Sequence, residues 1–430
     1  MDEQSKAQGR EVVVMVATSY PRFPGDTIGT FMEPIARGVA ARGHEVHMVI
    51  PWHPRLAREH VEDGVRFHPF RYAPARSLCV FGYAGALRAD VSLRLSAYAV
   101  APLALAAGWL KARNIARVFG ATVIHAHWVI PGGAIAAAAC PRLPMVVSLH
   151  GSDVYLAERN PVAKRVARAV FQHAGWMTAC SEDLRSRAIA LGATAERSET
   201  VPYGVDADRF RPDAEARARV RGPLGLREDD PLLFTAGRFV RKKGFEYLID
   251  AVARLAPRWP GLRLAIGGDG DLDGELRARG AGQGVADRLF FPGVLAQGEV
   301  ADYLAAADLA VVPSIRDDSG NVDGLPNVVM EALASGTALV ATTAGGIAAV
   351  AHDDVNAALV AERDVDGLAG TIDRLLCSPD TRARLGARAR EDVLREHSWT
   401  RVAEAFERAY RNARKGPDAR NAIAAGLPSK

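Results

Sequence analysis

Strand-length apolar runs alternate with helical segments along the chain, and the alternation starts afresh past its midpoint. With 430 residues to distribute, this predicts an α/β protein of two doubly wound, Rossmann-like domains facing a cleft. A hydrophobic content of 49% with 40 glycines suits two cores joined by tight loops and excludes a disordered or fibrous chain.

Residues 11–18 read as a buried parallel strand. A loop over 19–28 leads to a helix from about 30 to 42, and Gly43-His44 turns the chain into a strand at 45–50. That is a βαβ unit, which a parallel sheet requires. Further strands are expected at 65–70, 122–126, 145–149, 176–179 and 199–201. Pro202-Tyr203-Gly204 and a charged stretch ending at Pro231 mark a junction.

The pattern then restarts. Strands are expected at 232–236, 262–267, 288–291, 309–313, 338–341 and 357–360, with helices at about 245–255, 300–306 and 327–334. The expected division is a first domain over 1–205, a linker region over 206–230 and a second domain over 231–395. A helix within 396–415 would return to the first domain, ahead of a tail at 416–430.

The formal net charge of +4 is small for this length and does not suggest a dedicated nucleic-acid binder, while leaving room for local basic patches that meet phosphate or an anionic surface. Cys79, Cys140, Cys180 and Cys377 form no CxxC pair, so neither a disulfide framework nor a cysteine metal site is expected, and a reducing cytoplasm fits best. The polar N-terminus carries no signal-peptide pattern, and no apolar run is long enough to span a bilayer. Residues 92–118 are apolar and then basic, with Lys111, Arg113 and Arg117. They read either as a pair of core helices interrupted at Pro102 or as a face for peripheral contact with a membrane.

Several strand ends carry candidate chemistry. Gly29 and Thr30 would open the helix after the first strand, where exposed N–H groups suit an anion. The loop lacks GxGxxG, which argues against a conventional NAD domain. His150 follows the strand at 145–149 and could donate a hydrogen bond or shuttle a proton, and Asp153 reads as a helix cap or site support. His125 and His127 flank Ala126 without a third ligand at metal-binding spacing, so no metal is expected.

Arg238 and Lys243 lie in a basic loop after the strand at 232–236. A guanidinium fork and a mobile ammonium there would neutralise a diphosphate leaving group. Gly268, in Gly267-Gly268-Asp269-Gly270, would let a nucleotide approach the backbone or would simply serve a tight turn. Asp323-Gly324-Leu325-Pro326-Asn327 runs into a helix carrying Glu331. Glu331 would accept two vicinal hydroxyls, as on ribose, and Asp323 would address sugar hydroxyls.

Taken in order, these motifs resemble the retaining glycosyltransferases of family 4, of the bacterial polysaccharide-assembly type, over about residues 10–410. The family's paired glutamates, separated by seven residues, correspond to Asp323 and Glu331, the first one methylene shorter. The resemblance implies the two-domain glycosyltransferase-B fold, an acceptor-binding first domain and a nucleotide-sugar-binding second domain. It implies transfer of a hexosyl group, with retention, from a GDP-sugar or UDP-sugar to an acceptor hydroxyl, with no cofactor and no essential metal.

Arg238 and Lys243 match the phosphate-binding pair, Glu331 the ribose acceptor, and His150 the histidine near the reacting sugar. Gly29 matches the N-terminal loop that approaches the diphosphate or the acceptor, and Gly324–Val328 match donor-loop contacts. A same-face mechanism in which the departing phosphate helps to deprotonate the acceptor needs no carboxylate nucleophile. The acceptor side permits a glycan or a lipid-linked saccharide at the cytoplasmic membrane face. The competing readings are a sugar-nucleotide epimerase or phosphorylase, and an inactive sugar-nucleotide-binding assembly protein, for which Asp323 is the argument.

Overall fold

The computed structural model describes residues 10–415 apart from residues 27, 81, 84–86, 89–91 and 94. The chain divides into two compact units, one from Met1–Val201 with Trp399–Lys430 and the other from Pro202–Ser398. The tail over 416–430 lies outside the described residues.

In the first unit the strands are β1 (Val12–Val16), β2 (Glu45–Pro51), β3 (Val61–Glu62), β4 (Val65–Phe70), β5 (Leu87–Arg88), β6 (Ser92–Leu93), β7 (Val123–His127), β8 (Met145–Leu149), β9 (Trp176–Ala179) and β10 (Ser198–Thr200). Eight of them form one sheet in the order β10-β9-β8-β7-β1-β2-β4-β3, and β5 pairs with β6 separately. Only β3 runs antiparallel to its neighbour in the large sheet. Chain order reverses between β1 and β7. Open sheets of this kind hold ligands beyond the carboxyl ends of the strands at that reversal.

The apolar runs behave as parallel strands covered on both faces should: β7 and β8 are buried throughout. The helix after β1 is Met32–Ala41, two residues shorter at its start than expected. Gly29 and Thr30 form the turn before it, with the Met32 N–H on the Gly29 carbonyl at 2.9 Å.

Residues 95–118 are one continuous helix, Leu95–Val118, and not a pair broken at Pro102. Proline removes one main-chain hydrogen bond, but Pro102 sits on the exposed side. Ala104, Ala112, Ile115 and Ala116 bury the opposite side, and that packing outweighs the local break. The helix Trp399–Arg414 packs against Met32–Ala41, β8 and β9. Its residues Val402, Phe406, Ala409, Tyr410 and Ala413 recur at helical spacing and join the core around β1 and β2.

The second unit contains β11 (Leu232–Ala236), β12 (Arg263–Gly267), β13 (Leu289–Gly293), β14 (Leu309–Val312), β15 (Leu339–Thr342) and β16 (Ala358–Val360). They form a wholly parallel sheet in the order β13-β12-β11-β14-β15-β16, reversing between β11 and β14. Within the stretch over 206–230, a helix Ala214–Arg221 packs on the helix Gln297–Ala306. Arg217 and Arg221 from that helix both reach Asp308, at 3.2 and 3.3 Å. Among the described residues, no helix is long and apolar enough to cross a membrane.

Candidate functional site

In the second unit, the candidate residues gather at the reversal between β11 and β14. Buried β11 delivers the loop 237–243, anchored by the fully buried ring of Phe239. A short turn over Arg241–Lys243 then enters the helix Phe245–Leu255 through Gly244, which has a left-handed φ of 65°. A Cβ at Gly244 would lie 2.0 Å from the Pro313 carbonyl oxygen, so only glycine permits the loop to pass this close to β14.

The basic residues of this loop divide. Arg241 turns to Glu275. Lys242 and Lys243 each take one oxygen of Asp323, with Nζ at 3.1 Å from Oδ1 and 2.6 Å from Oδ2. Burial alone would raise the Asp323 carboxyl. The two ammonium groups win and hold it well below the usual carboxylate range. Lys242, 6% exposed, is the member that motif reading missed; its signal was the repeated lysine before Gly244.

Arg238, two residues past the end of β11, is exposed. Gly324, Leu325 and Pro326 are buried and lead into the helix Asn327–Ser335. Glu331 occupies the second turn of that helix. It keeps part of its surface exposed, yet burial pushes its carboxyl up to about 7, against the pull of Lys243 and Arg209. Glu331 therefore exchanges its proton near neutrality, while Asp323 stays ionised. Gly268, after β12, has a packing reason of its own, since a Cβ there would lie 2.0 Å from the Gly237 carbonyl oxygen.

The first unit repeats the placement with different chemistry. His127 ends β7 and His150 follows β8, and their ring nitrogens meet at 3.1 Å. Burial lowers His127 to about 3 and depresses His150 strongly, so both rings are neutral. Asp153, in the first turn of the helix Ser152–Arg159, accepts the Val129 N–H and ties that helix to the end of β7. Burial pushes its carboxyl up to about 6.

Trp128 has a φ of 66°, uncommon outside glycine, and its ring joins Phe31 and His150 with centroids 6.0 and 4.8 Å away. Behind His127, the His125 ring is held by Tyr410 at 2.9 Å and Ser148 at 2.7 Å. Among the described residues, no group of histidine, cysteine, aspartate or glutamate is arranged to hold a metal ion. In the loop after β1, a nearly buried Arg22–Asp26 ion pair at 2.6 Å braces the segment before Gly29; sequence reading did not find it.

The family model described as Glycosyltransferase Family 4 matches residues 28–209, and the one described as Glycosyl transferases group 1 matches residues 216–392. A relative from Mycolicibacterium smegmatis, named a GDP-mannose-dependent alpha-(1-6)-phosphatidylinositol monomannoside mannosyltransferase, is 34% identical over 61% of this chain and 69% of its own. The chain belongs to glycosyltransferase family 4.

This glycosyltransferase is also similar to the D-inositol 3-phosphate glycosyltransferase of Xylanimonas cellulosilytica, 37% identical over 53% of this chain and 54% of that one. Its fold matches the crystal structure of Anabaena HepE in complex with UDP, with a TM-score of 0.73 at 19% identity, over 92% of this chain and 98% of that one. The architecture is glycosyltransferase-B, as the two restarted sheets predict.

Proposed function

We propose that this glycosyltransferase moves a hexosyl group, with retention of configuration, from a nucleoside diphosphate sugar to an acceptor hydroxyl. The observation that carries this reading is the Lys242–Asp323–Lys243 cluster at the reversal between β11 and β14. A diphosphate placed there would compete with Asp323 for Lys243, and Arg238 from the same loop would add a planar fork of donors. Charge grows on the diphosphate as the glycosidic bond breaks, so cations already in place favour the transition state over the ground state.

In this reading the second unit holds the donor, with Glu331 on the ribose hydroxyls and Gly324, Leu325, Pro326 and Asn327 as the donor loop. Asp323 keeps the lysines extended and addresses the sugar. The first unit takes the acceptor through the segment from Gly29 to Phe31, with His150 beside it. The lysines and Arg238 supply the positive charge that the leaving group needs, so no cofactor or metal is invoked.

The acceptor is proposed to be a lipid-linked saccharide or cell-surface glycan precursor met at the inner face of the cell membrane. The helix Leu95–Val118 supports this. Its exposed Leu103, Leu105 and Leu110 precede Arg113 and Arg117, and it contains no acidic residue. The names of the two enzyme relatives make GDP-mannose and an inositol-phosphate acceptor the first pair to test.

Incubation with GDP-mannose or a UDP-sugar and a phosphatidylinositol mannoside should yield a new α-glycoside by NMR. A β-linked product would contradict retention. No product from a folded protein that binds donor would contradict this acceptor class.

A further inference from the structure

His127 and His150 share one hydrogen bond, 3.1 Å between Nδ1 of the first and Nε2 of the second, with the rings inclined by 14°. Between two neutral imidazoles one nitrogen must donate and the other accept. The remaining nitrogen of His127 decides which. The His127 residue is 0% exposed, and its Nε2 has no hydrogen-bond partner among the described residues. Buried N–H groups without an acceptor are rarer in folded proteins than buried acceptors without a donor. That asymmetry favours the tautomer of His127 protonated on Nδ1.

We propose that His127 is a positioning residue: it donates from Nδ1 to His150 Nε2 and so fixes His150 as the tautomer protonated on Nδ1. The His150 Nε2 lone pair is then in use. The ring does not act as a base toward a substrate hydroxyl through that nitrogen; it serves as a neutral group of fixed orientation.

The wall behind His127 holds it in this role. The His125 ring lies 4.2 Å away, centroid to centroid. Both of its nitrogens are engaged, Nδ1 with Tyr410 Oη at 2.9 Å and Nε2 with Ser148 Oγ at 2.7 Å, and Ser148 continues to Thr178 at 2.7 Å. His125 thus has no nitrogen left for His127 Nε2. The C-terminal helix, through Tyr410, braces the end of β7. Trp128 and Phe31 pack against His150, with ring centroids 4.8 and 4.7 Å away.

The tautomer assignment stands apart from the proposed reaction; only its effect on turnover rests on glycosyl transfer. The test uses the full-length protein labelled with 15N-histidine. Long-range 1H–15N spectra near neutral pH are assigned through His127→Asn and His150→Gln. The expected result is a protonated Nδ1 and bare Nε2 on His150, with a protonated Nδ1 on His127. A His150 protonated on Nε2, or on both nitrogens, overturns the proposal.

His127→Phe removes the donor, whereas His127→Asn keeps an amide N–H close to the Nδ1 position. The His150 Nε2 resonance should move in the Phe variant and return toward the wild-type position in the Asn variant. In the same series kcat should fall about tenfold for Phe, with the donor KM unchanged, and recover in part for Asn. A His150 resonance that ignores His127→Phe overturns the proposal, whatever reaction the enzyme catalyses.

Discussion

In the second unit, two lysine ammonium groups grip the two oxygens of one aspartate; in the first, two histidines that carry no charge share a single proton between them. Both clusters lie at carboxyl strand ends beside the point where chain order reverses. The backbone placement is the same, and the chemistry differs because the partners differ. Lys242 and Lys243 offset the burial of Asp323, so charge survives there. Among the described residues no cation or anion offsets the burial of His127, so its ring stays neutral. A sheet reversal prepares a site for polar residues, and local pairing decides whether that site is charged.

The largest effect is expected from Asp323→Asn, which leaves Lys242 buried beside a neutral amide. Breaking such a pair from one side should cost about 3 kcal/mol of stability, read from the urea midpoint. Asp323 is held below its ordinary pKa in the folded state. Its contribution is therefore present above the unfolded value of 3.8 and lost as pH falls through the folded one. An Asn variant as stable as the wild type at pH 7 would mean that the charge pairing contributes nothing. Asp323→Glu keeps the pairing and should retain activity; a changed sugar preference would show that the shorter acid selects the donor.

Next come Lys243→Ala and Arg238→Ala. Each should lower kcat about 100-fold, roughly 2.7 kcal/mol, with folding intact. An unchanged kcat in either variant would remove that residue from leaving-group stabilisation.

Glu331→Gln should weaken donor binding about tenfold, roughly 1.4 kcal/mol. With the wild-type carboxyl at about 7, donor affinity should rise as pH climbs through 7, and the Gln variant should lose that slope. Stability runs the opposite way. Between 4.5 and about 7 the folded protein holds a proton that the unfolded chain releases, so this residue's contribution to stability falls as pH rises. Calorimetric titrations of both proteins at pH 6 and 8 check the binding claim; parallel slopes would refute the ribose assignment.

The smallest effect belongs to the neutral cluster. Below the ordinary histidine pKa of 6.5, the unfolded chain takes up protons that folded His127 refuses until about pH 3. Stability is therefore lost as pH falls, by roughly 1 kcal/mol at pH 6 for this residue. In His127→Phe the pH dependence of the urea midpoint should be shallower by that amount. An identical dependence would mean that His127 takes up its proton at the same pH in the folded and unfolded chains.

The same contrast explains what was legible in the sequence. The second cluster is written in two short segments, the loop 237–244 and the run 323–331, each with its own glycine or proline signal. Lys242 escaped only because one lysine sufficed for the motif. The first cluster is assembled from separate strand ends and a helix far along the chain. Tyr410 reaches His125 across 285 positions, and no local pattern announces such a contact.

Strands whose apolar runs are bounded by turns, such as β4, β8, β9 and β11, lie where they were read. Pro102 misled because a local break was weighed without the packing of Ala104, Ala112 and Ile115. The helix carrying Glu331 spans Asn327–Ser335, within a residue of the 327–334 expected from the sequence.

The central claim is that the charged cluster of the second unit receives a nucleoside diphosphate sugar. Saturation-transfer NMR of the full-length protein against a matched panel of GDP- and UDP-sugars tests it most directly, run beside Lys243→Ala. The account predicts selective contacts to one base and one sugar in the wild type, weakened in the variant. A folded protein that binds no member of the panel, or a variant that binds the same donor equally well, would contradict it.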